Sequence, residues 1–211
     1  MQQRLFSMAA GYEDCNDAEY LKEDPVLETA IEGELCSQPT LCRMENTMNR
    51  DTIWSLCHWW ADRYVANLSA DRKEIIIDID STDDPTHGGQ QLSLFHGYYR
   101  QVQYDQLFLL DGTTGEIILP VLRPGNSHTA RWAVHILEVI VDKIRTRFPA
   151  MRIVIHADSG YSSAGLYRLV EKKNLLFCLG LPSNAVLKRQ IADLQQEITE
   201  KYVKNQQKHQ Q

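Results

Sequence analysis

The sequence predicts an α/β fold, a mixed sheet of three antiparallel strands plus two parallel strands with crossover helices, preceded by a helical segment. Three observations carry this expectation. Residues 74–80, EIIIDID, are a continuous β-branched run ending in acids, the pattern of a buried strand. Two more strand-like runs, 104–110 and 117–122, are joined by the turn-rich DGTTGE, which suggests an antiparallel meander. Beyond residue 126, helical apolar periods alternate with short apolar runs, as crossover connections require.

Residues 12–35 read as short helices, with Asn16 or Asp17 as a cap and Pro25 opening a helix behind Asp24. Ser37 precedes Pro39, and Leu41, Met44, Met48, Ile53, Leu56, Trp59, Trp60 and Tyr64 then recur mostly every three or four positions. This spacing predicts a long helix, broken near Asn49. Trp54, Trp59 and Trp60 are expected in its core-facing stripe rather than stacked on bases. The loop STDDPTHGGQ closes the first strand, where Asp83 and Asp84 are expected to stabilise the turn before Pro85 rather than bind metal.

After the breaker RPGN, Asn126 or Ser127 caps a helix carrying Trp132, Ile136, Val139, Ile140 and Ile144 on one face. MRIVIHADSG reads as a buried strand, SSAGLYRLVEKKN as a shorter helix and LLFCLGL as the last strand. From Asn184 a polar helix places Leu187, Ile191, Leu194, Ile198 and Tyr202 on one side, before a tail, NQQKHQQ, expected to be disordered.

Composition narrows the function classes. The chain of 211 residues is 43% hydrophobic, ordinary for one main globular domain. No stretch approaches the roughly 20 apolar residues of a membrane span, and the start lacks a secretory leader, so a cytoplasmic location is expected. Cys15, Cys36, Cys42, Cys57 and Cys178 are scattered without C-x-x-C pairing and read as reduced, mostly packed thiols. A net charge of −6 argues against a strong DNA grip by the chain as a whole, because phosphate binding is driven by Lys and Arg.

Three meander strands, a helix, a strand, a helix and a strand make the order of a ribonuclease-H-like sheet, in which the first and fourth strands are neighbours. Asp80 and Asp158, at the same ends of those strands, would then lie little more than the roughly 4.8 Å strand spacing apart. Carboxylates so close repel unless a cation neutralises them, and an all-oxygen site suits Mg²⁺ or Mn²⁺. Such a site supports in-line attack on a phosphodiester. Two ions normally need a third carboxylate, and Glu171, Asp193, Glu197 and Glu200 occupy no convincing place. The competing assignment has both aspartates making turn hydrogen bonds. His87, His96 and His128 fall in nearby loops and receive no role. Arg100 and Arg123 either contact DNA phosphates or pair with a nearby acid.

The blocks DIDSTDDPTHG, FHGYYR, LRPGNSH, HADSGY and LGLPSNAVL, in that order, resemble consecutive blocks of DDE transposases of bacterial insertion sequences, in the cut-and-paste group. The similarity spans most of residues 11–190, and GYEDCNDAEYLKEDP with SQPTLCRMEN resembles the stretch that links an N-terminal DNA-binding region to the catalytic domain. The resemblance implies that Asp80 and Asp158 are the first two catalytic aspartates and metal ligands, with Asp78 a rival for the first. It implies Mg²⁺ or Mn²⁺ as cofactor and double-stranded DNA, both element ends and target, as partner; homodimerisation stays open. The implied activity is metal-dependent cleavage and strand transfer. The family's third residue, a glutamate on a helix beyond an inserted strand-rich segment, has no match here. On this comparison residues 1–70 are a remnant of the DNA-binding or linker region, 71–183 an incomplete catalytic domain, and 184–211 the start of a missing insertion. Truncation at both ends, and inactivity of the chain alone, are therefore expected.

Two other functions remain. IIIDIDST fits the strand-end D-x-D-x-T of a haloacid-dehalogenase-type phosphatase, with Asp78 as nucleophile and Asp80 as acid or base. The Gly-rich turn and strands that follow, and the lack of a later Lys plus paired-acid motif, weigh against it. A non-catalytic remnant acting as a weak oligomerisation partner is the third reading.

Overall fold

The computed structural model describes residues 1–209, which divide into two units, Met1–Trp59 and the part from Trp60 onward. The first unit is helical: α1 (Gln2–Ala9), α2 (Ala18–Leu21), α3 (Pro25–Ile31), α4 (Gln38–Asn46) and the start of α5 (Arg50–Asn67), which runs on into the second. Its apolar core is small, Cys15, Ala18 and Leu41 with Cys42 against them, so polar side chains do much of the tying. Arg4 Nε donates to Glu45 Oε1 at 2.6 Å, and the same guanidinium donates to the carbonyls of Tyr12 and Glu13. The Cys15 thiol donates to Glu45 Oε2 at 3.2 Å. Burial first, then the Glu45 carboxylate, pushes this thiol up to about 11, which leaves it protonated and unreactive.

Helix starts in this unit follow the capping chemistry. Asp24 accepts from the amides of Val26 and Leu27, with Pro25 in the first turn. Asp17 precedes α2 without a capping bond; the bond is made by Asp14, which closes a capping box with Asp17 around a short 3₁₀ turn. The expected break near Asn49 separates α4 from α5, and Asn49 Oδ1 accepts from the Thr52 amide. The tryptophans are a correction. Trp54 and Trp59 are each 54% exposed, and the buried positions of α5 are Ala61, Tyr64 and Val65, near its C-terminal end.

The second unit is built on a sheet of β1 (Glu74–Pro85), β2 (Leu94–His96), β3 (Gln101–Asp111), β4 (Ile117–Pro124), β5 (Arg152–Ala157) and β6 (Leu176–Leu179). The strand order is β2-β3-β1-β5-β6, with β4 also paired to β3. Pairings of β3 with β1, β2 and β4 are antiparallel, and those of β5 with β1 and β6 are parallel. Without the three-residue β2, this is the ribonuclease-H-like order. The crossovers are α6 (Ala133–Arg147) and α7 (Ala164–Lys173). Alternation does the layering: Ile75, Ile77 and Ile79 of β1 are buried together with Ile153 and Ile155 of β5 and with Leu137, Ile140 and Ile144 of α6. Each such side chain contributes roughly 1.5–3 kcal/mol by leaving water.

Three boundaries differ from the sequence reading. β1 runs on through Ser81–Pro85, because those residues pair with Gln103–Leu107 of β3. Asp83 and Asp84 therefore sit in the ladder, accepting from the side-chain amides of Gln101 at 2.6 Å and Gln106 at 2.8 Å, and not in a turn. α6 begins at Ala133, later than Asn126 or Ser127, behind an exposed Trp132 in the left-handed region (φ 63°). Its buried stripe is Ala133, Leu137, Ile140, Val141 and Ile144, a shifted face of the same helix. The last helix is split into α8 (Ala185–Gln190), capped by Asn184, and α9 (Ala192–His209), whose Ile191-flanked apolar stripe is exposed. Disorder was expected from Asn205, whereas α9 continues to His209, as its helix-favouring Gln and Lys permit; the final two positions lie outside the described residues. All five cysteines are free, and Cys36 and Cys178 are exposed rather than packed. Among the described residues no helix is long and apolar enough to cross a membrane.

A buried polar knot closes the far end of the sheet. Asp111, fully buried, accepts from the Arg72 guanidinium through both oxygens and from the Tyr64 hydroxyl at 2.8 Å. Burial alone would raise its pKa, but Arg72, the Thr113 amide and Tyr64 outweigh it and hold the carboxyl at about 2. A depressed folded-state pKa stabilises the fold above the unfolded value near 3.9, and that stability is lost as pH falls toward the folded value. Chemical-denaturation midpoints measured between about pH 4 and pH 2 are expected to fall, with on the order of 2 kcal/mol of the loss absent in Asp111→Asn.

Candidate functional site

The site is fixed by register. β1 and β5 pair in parallel with Asp78 opposite His156 and Ile79 opposite Ala157; Asp80 is the next residue within β1, and Asp158 follows just past the end of β5, where it opens a 3₁₀ turn. Alternation puts Ile77, Ile79, Ile155 and Ala157 into the core. Asp78, Asp80 and His156 therefore belong to the opposite face, and Asp80 and Asp158 are both exposed.

Each aspartate is braced locally through one oxygen. Asp80 Oδ1 accepts from the Ser81 amide at 2.8 Å, and Asp158 Oδ1 accepts from the Gly160 amide at 2.9 Å. Asp158 thus makes the turn hydrogen bond considered from the sequence, whereas Asp80 sits within β1 and takes only the next amide; in each carboxylate these bonds use one oxygen. The Asp158 turn is tightly enclosed. A Cβ on Gly180 would lie 2.6 Å from the Ser159 nitrogen, so the LGLP segment comes this close only because residue 180 is glycine. Tyr161 packs under the turn, 1% exposed, and burial pushes its phenol up to about 12.

One pair here escaped the sequence reading. His156 Nδ1 lies 2.7 Å from Asp78 Oδ1, a cross-strand contact one step back along the same face from Asp80 and Asp158. The signal was available: each of these residues stands two positions before a metal-ligand candidate.

The two arginines separate. Arg123 is 1% exposed, and its Nε donates to Asp105 Oδ1 at 2.7 Å. Its other donors reach the carbonyls of Thr129 and Arg131, both at 2.8 Å. The DNA-contact assignment for Arg123 is thereby corrected: the guanidinium is consumed by a buried ion pair that clamps the loop ahead of α6. The reason is cross-strand charge. Asp83 faces Asp105 in the ladder, and Arg123 and Gln101 take up one acid each. Arg100 is exposed, at the end of the loop between β2 and β3, with φ 56°.

Carboxylates such as those of Asp80 and Asp158 are hard oxygen ligands of the kind that suit a divalent cation bound mainly by oxygen and water. Among the described residues no three of His, Cys, Asp and Glu form a metal-holding group, and Glu171, Asp193, Glu197 and Glu200 do not complete one.

A family model described as Transposase DDE domain group 1 matches residues 1–211. No curated protein matches the chain. Among solved structures, a piggyBac transposase synaptic complex with hairpin DNA is similar at 15% identity and TM-score 0.47, covering 86% of this chain and 41% of that one. The catalytic domain of Mos1 mariner transposase is similar at 15% identity and TM-score 0.36, over 65% of this chain and 63% of that one. A Drosophila P element transposase strand transfer complex is similar at 9% identity and TM-score 0.29, over 85% and 44%. The chain thus spans 41% to 63% of the length of these structures.

Proposed function

Because the chain belongs to the transposase DDE domain family, we propose that Asp80 and Asp158 together hold a Mg²⁺ or Mn²⁺ ion and that the site serves phosphodiester cleavage and strand transfer in DNA transposition. The observation that supports this is the parallel register of β1 and β5, whose last pair, Ile79 with Ala157, immediately precedes two aspartates far apart in sequence. When bound, the ion supplies a lowered pKa for an attacking water or 3′-hydroxyl and takes up charge on the phosphate. Asp80 and Asp158 contribute the oxygens left outside their bonds to the Ser81 and Gly160 amides. Arg100, exposed and without a competing acid among the described contacts, offers its fork to a DNA phosphate. The catalytic domain of this reading covers residues 71–183, with 1–70 as a helical lead-in and 184–211 as the beginning of an insertion. The phosphatase alternative loses its ground, because β1 returns as antiparallel β3 instead of entering a helix, and Asp78 is engaged by His156.

Because no three of His, Cys, Asp and Glu form a metal-holding group among the described residues, the 211-residue chain alone should bind one ion and fail to join strands. Titration of the purified chain with Mn²⁺, followed by electron paramagnetic resonance of the free ion, tests the first half. Asp80→Asn and Asp158→Asn should each bind at least about tenfold more weakly, and both together no differently from the weaker single variant. Equal affinity in wild type and both variants would remove the shared site. Joining of a labelled duplex to plasmid by the chain alone would overturn the second half.

A further inference from the structure

The hairpin formed by β2 and β3 has no role in the ion site, yet it carries a cluster of exposed aromatic side chains. Phe95 is 60% exposed, Tyr98 84% and Tyr99 42%. The rings are organised: Tyr98 and Tyr99 meet edge to face at 5.1 Å between centroids, and His96 lies 5.0 Å from Tyr99. Phe95 pairs across the ladder with Val102, also exposed, so the apolar surface continues onto β3. Arg100 ends the loop in the left-handed region, a conformation non-glycine residues seldom adopt, held by its amide bond to the His96 carbonyl at 2.8 Å. The hairpin is tied to the strand that carries Asp80: Gln101, next to Arg100, donates its side-chain amide to Asp83 of β1 at 2.6 Å, three residues on from Asp80.

Charge decides what this tip can receive. A duplex presents phosphates, and a hairpin tied at Gln101 to Asp83, on the strand that also carries Asp80 and Asp84, offers one arginine at its tip and is a poor grip for them. Unpaired bases are uncharged, and each offers a flat face to an aromatic ring whatever its sequence. We propose that Phe95, Tyr98 and Tyr99, with Arg100 on the adjoining phosphate, form a stacking platform for unpaired bases of the DNA strand delivered to Asp80 and Asp158. This rests on the transposition reading and adds the form of DNA that the site receives.

The test uses the full chain and three fluorescein-labelled duplexes in Mg²⁺: one with a four-nucleotide 3′ overhang, one with the same overhang made abasic, and one blunt. Anisotropy titrations should show the base-bearing overhang bound at least about fivefold more tightly than the abasic one. Tyr98→Ala with Tyr99→Ala should erase that ratio, and Tyr98→Phe with Tyr99→Phe should keep it. An unchanged thermal melting temperature shows that the alanine pair still folds. Equal binding of base-bearing and abasic overhangs by wild type overturns the proposal, as does an alanine pair that keeps the preference or a wild type that binds none of the three. If the alanine pair instead dissolves a dimer seen by sedimentation, the surface is an interface between copies and the proposal falls. Failure here with Mn²⁺ binding still dependent on Asp80 and Asp158 would leave the ion site standing; loss of that dependence would instead strike the transposition reading.

Discussion

Arg123→Met should cost the fold about 3–5 kcal/mol, read as a large fall in the urea midpoint at constant slope. The side chain of Arg123 is fully buried and that of Asp105 is 7% exposed, so removing the cation leaves a carboxylate with neither water nor counter-charge. The same change strips the carbonyls of Thr129 and Arg131 of their donor, each worth about 1 kcal/mol. The double variant Arg123→Met, Asp105→Leu separates these parts. Replacing both charges by apolar groups should recover most of the loss, because the isolated buried charge is the expensive species. If Arg123→Met alone changes stability by less than about 1 kcal/mol, the ion pair is not what holds this loop.

Gly125→Ala should be comparably severe, above about 4 kcal/mol. A Cβ at that position would stand 1.7 Å from the Gln103 carbonyl oxygen and 2.6 Å from that of Leu94. Both are backbone atoms, so no rotamer change relieves the overlap, and β2, β3 and the end of β4 must part. Hydrogen exchange should show protection lost at residues 94–96 and 101–103 and kept in β5. Gly89→Ala, where a Cβ meets nothing within 4 Å, is the matched control and should stay within about 0.5 kcal/mol of wild type. Exchange in Gly125→Ala matching the control would show that the close approach is not required.

The parts legible in the sequence were those where one physical rule dominates. An all-β-branched run such as EIIIDID has no stable exposed alternative, so β1 and its partner β5 could be read and their end-to-end alignment inferred. Local competition hid the rest. Asp83, Asp84 and Pro85 have turn chemistry, yet they are strand residues because glutamines across the ladder satisfy them. Three-residue β2 is too short to show a period. Arg123 stands beside Pro124 and Gly125, which reads as surface loop; only the pairing of Asp83 with Asp105 in space reveals why a cation must be buried there. Trp54 and Trp59 of α5 have core spacing, yet the small core of their unit is Cys15, Ala18 and Leu41 and leaves both exposed. Near the candidate site, the strands that carry Asp80 and lead to Asp158 were legible, while the His156–Asp78 contact was missed because it needs the register of β1 against β5 as well as the two segments.

That register also governs when the site can exist. His156 and Asp78 are separated by 78 residues, so no short fragment can rehearse their arrangement. Closing so long a loop carries an entropic penalty that only the assembled β1–β5 ladder offsets, which makes this end of the ladder a high-contact-order feature. An ion held there as proposed would keep the whole ladder closed by mass action, and a local defect anywhere along it would lower the affinity.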